Sequence, residues 1–272
     1  MRDHIIKLFR TRVREGHPYV VGSSPGIRVK LNQNESPDRV PDAIRERLKD
    51  IVAGVDLNRY PSEQPTELRD TLASVSQVDP EYVLVTHGSN EFVHTLCIAF
   101  VETGRSALIP SPSFSLFANA VRLFGGTVLD VEADSNLDFP VERICAISAE
   151  SRPELVIIAS PNNPTGRDLG LNELEAIVEA SPGMVVIDEA YWEFTNRESA
   201  ISLLERYDNL IVMRTLSKAY GLAGLRIGYA IARPEIVSEL MKIRLPFMVS
   251  NIDAALATDV LQDPQKIRTA AK

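Results

Sequence analysis

Among 272 residues there are only two cysteines and one tryptophan. Cys97 and Cys145 stand far apart, without the close pairing of a zinc ribbon or a redox motif, which excludes a disulfide scaffold and suits a reducing compartment. The cytoplasm is the expected location. Long apolar runs are also missing: no window approaches the roughly 20 apolar residues of a membrane span, and the charged start MRDHIIKLFRTRVREGHPYV lacks the apolar stretch of an export signal. Positive charge is in deficit, with 29 Lys and Arg against 37 Asp and Glu and a net charge of −8, so nucleic acid and anionic lipid are repelled. Neither nucleic acid nor membrane is an expected partner. No Gly-x-Gly-x-x-Gly turn follows an early strand, which argues against a nicotinamide dehydrogenase. No His-Glu-x-x-His pattern occurs, so His87, His94 and Cys97, spaced to share a helix face, read as packing residues.

What is present is a globular composition, 44% hydrophobic and 24% charged, long enough to bury a large core. Short β-branched runs closed by turn residues alternate with segments of helical periodicity, the pattern of a mostly parallel sheet covered by helices. The fold class is therefore α/β. The expected strands are Tyr82 to Thr86, Ser106 to Ile109, Thr127 to Val131, Leu155 to Ala159, Val185 to Asp188, Leu210 to Arg214 and Ile227 to Ala232. Helices are expected at Pro65 to Ser76, Ser89 to Thr103, Ser113 to Phe124, Asn172 to Ala180, Pro234 to Ile243 and Asn251 to Lys272. Residues 1–40, with an extended stretch at Ile27 to Leu31, read as an arm, 41–245 as the main domain, and 246–272 as the start of a smaller, incomplete one. The last helix has neither a Gly cap nor a Pro, so the chain reads as cut short.

Ligands in open α/β sheets sit at the carboxyl ends of strands, and five such places carry polar residues. His87-Gly88-Ser89-Asn90-Glu91 joins a strand to a helix amino terminus, which suits either phosphate binding or ordinary capping. Pro110-Ser111-Pro112-Ser113-Phe114 brings an aromatic ring to the sheet edge, for stacking on a flat cofactor or for the core. Ser160-Pro161-Asn162-Asn163-Pro164-Thr165-Gly166 is a rigid loop presenting an amide, or a plain turn. Asp188-Glu189-Ala190-Tyr191 follows a buried strand. A carboxylate there needs a cationic partner: a cofactor nitrogen, a magnesium ion or the cation of a structural ion pair. Arg214 to Gly228 combines hydroxyls, Lys218, glycines and Arg226, and a Lys among apolar neighbours is the type of amine that forms Schiff bases. Together the five match one cofactor, pyridoxal phosphate.

These segments, Ser-Pro-Asn-Asn-Pro-Thr-Gly at 160–166, Asp-Glu-Ala-Tyr at 188–191 and Arg-Thr-Leu-Ser-Lys-Ala-Tyr-Gly-Leu-Ala-Gly-Leu-Arg at 214–226, resemble the motifs of fold-type-I pyridoxal-phosphate aminotransferases. His17-Pro18-Tyr19-Val20, Leu31 to Pro37 and Asn58-Arg59-Tyr60-Pro61 are similar to the histidinol-phosphate branch of that family, although threonine-phosphate decarboxylases and aromatic-amino-acid aminotransferases carry similar segments. The resemblance implies pyridoxal 5′-phosphate as cofactor and amino transfer between histidinol phosphate and 2-oxoglutarate. It implies Lys218 as the Schiff-base lysine and proton carrier, Asp188 beside the ring nitrogen, Asn163 and Tyr191 on the ring oxygen, and Phe114 on the ring face. Gly88, Ser89, Asn90, Thr215, Ser217 and Arg226 would hold the phosphate, with Tyr60 reaching across a homodimer. Phe114 stands where many relatives carry Tyr, and Asn90 where Asp is common. The family's substrate-carboxylate Arg has no counterpart to assign here. A cofactor-binding relative without transamination is the alternative reading.

Overall fold

The computed structural model describes residues 3–18, 26, 29–37 and 41–262. In chain order the helices are α1 (Asp3–Ile6), α2 (Thr11–Glu15), α3 (Asp42–Gly54), α4 (Thr66–Ser76), α5 (Ser89–Phe100), α6 (Ser115–Phe124), α7 (Val141–Ser151), α8 (Leu171–Ala180), α9 (Pro234–Met241) and α10 (Asn251–Leu261). The strands are β1 (Val83–Thr86), β2 (Ser106–Ser111), β3 (Thr127–Glu132), β4 (Leu155–Ala159), β5 (Met184–Asp188), β6 (Leu210–Thr215) and β7 (Gly228–Ala232).

The seven strands form one sheet in the order β1-β7-β6-β5-β4-β2-β3. Neighbours from β6 to β3 pair in parallel, while β7 is antiparallel to both β6 and β1. The expected mostly parallel sheet is thus present, with β7 as the reversed strand, and β1 still runs in the direction of β6. The carboxyl ends of β1, β2, β4, β5 and β6 therefore share one edge, and chain order reverses between β2 and β4, where a ligand crevice forms in such sheets.

Strands β4, β5 and β6 are nearly all apolar and buried, as strands covered on both faces must be. Their side chains alternate between two cores. Val156, Ile158, Val185 and Ile187 meet the residues of α4, α7, α8 and α10, and Ile157, Val186, Ile211 and Met213 meet those of α5, α6 and α9. In α4 the buried residues Leu68, Leu72, Ala73 and Ser76 recur at helical spacing, which gives that helix its inner face. Gly125 ends α6 at φ 108°, its N–H donating to the carbonyls of Val121 and Arg122.

Several element ends differ from the sequence expectation for local reasons. Tyr82 belongs to a 3₁₀ turn begun by Pro80 rather than to β1. Ile227 precedes β7, because the backbone leaves the left-handed conformation of Arg226 at φ 53° before pairing begins. Helices expected to reach Thr103 and Ile243 stop at Phe100 and Met241. Helices α1, α2, α3 and α7 were not anticipated; α3 has no fully buried residue and is held to α10 by an Arg47–Asp259 ion pair. Val29 to Leu31 form no strand, while Ile27, Arg28, Tyr19 and Val20 lie outside the described residues. The expected helix Asn251 to Lys272 is present as α10 to Leu261, and residues 263–272 also lie outside the described part. No helix of the described residues is long and apolar enough to cross a membrane.

Candidate functional site

The shared strand edge holds a cavity of about 630 Å³. Ser89 and Asn90 reach it from the start of α5, Phe114 from the β2–α6 loop, Asn163 from the loop after β4, and Asp188 and Tyr191 from the end of β5. Thr215, Ser217, Lys218 and Arg226 reach it from β6 and the loop that follows. Ten of the twelve residues expected at the site thus meet in one place.

Gly88 lies just behind the cavity wall, in a conformation, φ 77° and ψ 155°, that L side chains rarely adopt. A Cβ there would stand 2.6 Å from Arg226 Nη2. The same crowding recurs at Gly228, where a Cβ would approach the Ser89 backbone nitrogen to 2.4 Å. Two glycines therefore let the α5 amino terminus, with its outward N–H groups, lie against the Arg226 guanidinium. Arg226 is fixed by donating to the Ala223 carbonyl at 2.9 Å and to Ser217 Oγ at 3.4 Å. The Thr215 and Ser217 hydroxyls are 3.0 Å apart. A helix terminus, hydroxyls and a guanidinium converging on one spot form an anion cradle.

The other end of the cavity chemistry is a buried acid. Asp188 closes β5 at 7% exposure and accepts the Ala190 N–H at 3.0 Å. Burial pushes its carboxyl up to about 7, with the Ala190 N–H and Lys218 pulling it down and Glu189 adding to the rise. Strand alternation turns the adjacent Glu189 to the opposite face, where it pairs with Arg214 at 2.8 Å. The structural ion pair considered for this acidic doublet thus belongs to Glu189, leaving Asp188 facing the cavity. No group of three or more His, Cys, Asp or Glu side chains suited to a metal occurs among the described residues. His94 packs edge-on against Phe124 at 5.7 Å, and Cys97 is buried with its thiol pushed up to about 12.

Lys218 is half-buried. Burial lowers its pKa, Arg226 adds to the lowering, and Glu35 and Asp188 oppose it. Its Nζ donates to the Gln33 carbonyl at 2.8 Å and stands 5.7 Å from the centre of the Tyr191 ring. Of the two asparagines after β4, Asn162 fastens the loop by donating to the Pro112 carbonyl and Thr165 Oγ1, both at 2.9 Å, while Asn163 faces the cavity. Tyr60 is not brought in: it is 82% exposed and stacks on Phe247 at 4.9 Å.

The sequence reading missed the arm's part in the site. Asn32, Gln33, Asn34 and Glu35 all line the cavity, and Asn34 Nδ2 donates to the Tyr191 hydroxyl at 3.1 Å. Their segment stood out as a motif, but its position 185 residues from Lys218 gave it no place in the site.

A profile for aminotransferase class I and II matches residues 27–272. The histidinol-phosphate aminotransferase of Chlorobaculum tepidum is 39% identical over 93% of this chain and 73% of that enzyme. That of Caldanaerobacter subterraneus is 34% identical over 95% of this chain and 73% of that enzyme. The solved histidinol-phosphate aminotransferase of Sinorhizobium meliloti, in complex with pyridoxal-5′-phosphate, superposes with a TM-score of 0.82 at 27% identity, covering 88% of this chain and 65% of that one. The anion cradle, the buried acid and the half-buried amine suit that cofactor, and pyridoxal 5′-phosphate is the cofactor of this chain. By sequence and by fold, the chain belongs to the class I and II aminotransferases.

Proposed function

We propose that this aminotransferase moves an amino group between L-histidinol phosphate and 2-oxoglutarate, yielding imidazole-acetol phosphate and L-glutamate. The observation that carries the reading is the meeting of Lys218, Asp188 and the Arg226 cradle in one cavity, in a chain 39% identical to a histidinol-phosphate aminotransferase. Residues 41–245 form the cofactor-holding domain, with 1–40 as the arm, while α10, expected to open a smaller domain, packs on the same core as α4, α7 and α8.

When bound, pyridoxal phosphate supplies an aldehyde that takes up the amino group and a ring that accepts electrons from the substrate Cα. Ser89, Asn90, Thr215, Ser217 and Arg226 hold its phosphate, Gly88 leaving room for the Arg226 guanidinium rather than touching the phosphate itself, and Phe114 packs on the ring face. Asn163 and Tyr191 donate to the ring oxygen. Asp188 opposes the ring nitrogen and keeps it protonated, since a carboxylate buried this deeply is stabilised by a cation beside it. Lys218 moves the proton between the substrate Cα and the cofactor C4′. Burial favours its neutral amine, the form that accepts a proton.

A second copy of the chain is the proposed partner. Leu57, Tyr60, Leu245 and Phe247 are all more than 40% exposed, and the Tyr60–Phe247 stack joins their two segments into one apolar patch. A homodimer covers it and allows Tyr60 to reach the neighbouring site.

Gly88→Ala tests the cradle. The added Cβ meets Arg226 Nη2 at 2.6 Å in an unfavourable backbone conformation, so the guanidinium must move. Affinity for pyridoxal phosphate is expected to fall roughly tenfold or more, whereas affinity for pyridoxal without the phosphate changes little. An absorbance titration with both compounds checks this, and equal losses would contradict the cradle. The reaction itself is tested by adding glutamate and then imidazole-acetol phosphate to the loaded protein. Conversion of the cofactor's spectrum by glutamate, reversed by the phosphate substrate, supports the assignment. Glutamate conversion without reversal sinks the substrate, and no conversion at all sinks transamination.

A further inference from the structure

The arm segment that lines the cavity is anchored on both sides of Glu35. Before it, the Gln33 carbonyl accepts from Lys218 and the Asn34 amide donates to Tyr191. After it, Ser36 Cβ lies 3.4 Å from where a Cβ on Gly221 would be. Glu35 is thus held at the cavity wall, and among the described residues it and Asp188 are the two carboxylates that line the cavity. They differ in surroundings. Asp188 is buried and faces the cofactor, whereas the Glu35 side chain is 39% exposed and meets Lys30, itself 50% exposed, in an ion pair. Lys30 does not line the cavity.

We infer that Glu35 sets substrate specificity by receiving a positively charged side-chain nitrogen, such as an imidazolium, in exchange for Lys30. The inference rests on the transamination reading and names its substrate class. An exposed ion pair holds its partners weakly, so a cation delivered within the cavity displaces the Lys30 ammonium into water. Among the described residues the other charged groups lining the cavity are Lys218, Arg226 and Asp188, all given roles with the cofactor, which leaves Glu35 as the carboxylate available to the substrate's far end. A substrate ending in a carboxylate meets repulsion at the same point. The nearness of Glu35 to Lys218 has a further sign, since its charge opposes the lowering of that amine's pKa.

The test is the half-reaction of loaded protein, followed by absorbance, with L-histidinol phosphate and with glutamate as separate donors. Glu35→Gln is expected to raise KM for histidinol phosphate roughly 10- to 100-fold and to lower KM for glutamate. Lys30→Met removes the competitor and bares the carboxylate, so it is expected to produce the opposite pattern, about two- to threefold in each direction. Calorimetric binding of L-histidinol phosphate to loaded Lys218→Ala protein, with and without Glu35→Gln, gives a readout free of turnover and should show the same loss. KM values that rise together, or not at all, overturn the inference while leaving the reaction intact. If the parent protein rejects histidinol phosphate, L-histidinol, L-arginine and L-lysine replace it. Acceptance of these with the Glu35 dependence keeps the inference and removes the substrate assignment, and rejection of every cationic donor overturns both.

Discussion

At pH 8 the cofactor-free Asp188→Asn variant is expected to melt at a higher temperature than the parent, yet to turn over roughly 10²- to 10⁴-fold more slowly once the cofactor is supplied. The stability gain follows from burial. Asp188 has a folded-state pKa of about 7 against an ordinary value of 3.8. The folded chain therefore binds this proton more tightly than the unfolded chain, and stability is lost as pH rises from 3.8 to about 7. That interval corresponds to about 4 kcal/mol, most of it already lost at pH 8 and about half at pH 5.5. An amide keeps the bond from the Ala190 N–H and carries no charge, so the gain from substitution should be about 2 kcal/mol larger at pH 8 than at pH 5.5. The catalytic loss has the same origin, since a neutral amide gives the ring nitrogen no reason to stay protonated. Melting curves at the two pH values check the first half. A gain independent of pH would show that the Asp188 carboxyl is not held near 7.

Arg214→Ala carries the largest expected stability cost, about 3–5 kcal/mol. The Arg214 and Glu189 side chains are 3% and 2% exposed, joined through Nε and Nη2 to Glu189 Oε2 at 2.9 and 2.8 Å. Ser199 Oγ and the Ala200 N–H complete the carboxylate's partners, and Trp192 lies over the guanidinium at 4.1 Å. Burial alone would lower the Arg214 pKa, but the Glu189 carboxylate, with Tyr229 and Glu193 adding to it, more than offsets that. Removing the Arg leaves Glu189 charged in a dry site without its cation. The double substitution Glu189→Gln with Arg214→Met removes both charges and keeps the volume, so it should recover most of the loss. Denaturant unfolding of the two variants decides the point, and equal destabilisation would mean that packing, not charge, governs the site. The pair also ties the ends of β5 and β6 together behind the cavity, immediately next to Asp188 and three positions from Ser217.

Much of this arrangement was legible in the sequence because the strands are short apolar runs that end in polar residues. Leu155 to Ala159 is a five-residue apolar strand that needs no further information to be read. Asp188 was legible as a carboxylate requiring a cation, but whether it or Glu189 held the structural Arg depended on the alternation of side chains at the end of β5, and Arg214 gave no sign of its buried role. Helix α3 escaped notice although Ile44, Leu48 and Ile51 recur at helical spacing, because that inner stripe is only half-buried and the rest of the helix is exposed. Gln33 and Glu35 were quoted within a motif, yet their meeting with Lys218 is a tertiary contact across most of the chain. Arg226 came forward as a phosphate ligand through the family resemblance, whereas its dependence on Gly88 and Gly228 follows from how closely β7 approaches the start of α5.

The central claim is that Lys218, held in the cavity between the Arg226 cradle and Asp188, is the amine that bonds pyridoxal phosphate. It is tested most directly by the visible absorbance of the purified chain with added cofactor, for the parent and for Lys218→Ala. A yellow band in the parent that borohydride fixes to a peptide containing Lys218, and that is missing from the variant, is the expected result. A band that survives Lys218→Ala unchanged, or fixation at another lysine, would contradict the account.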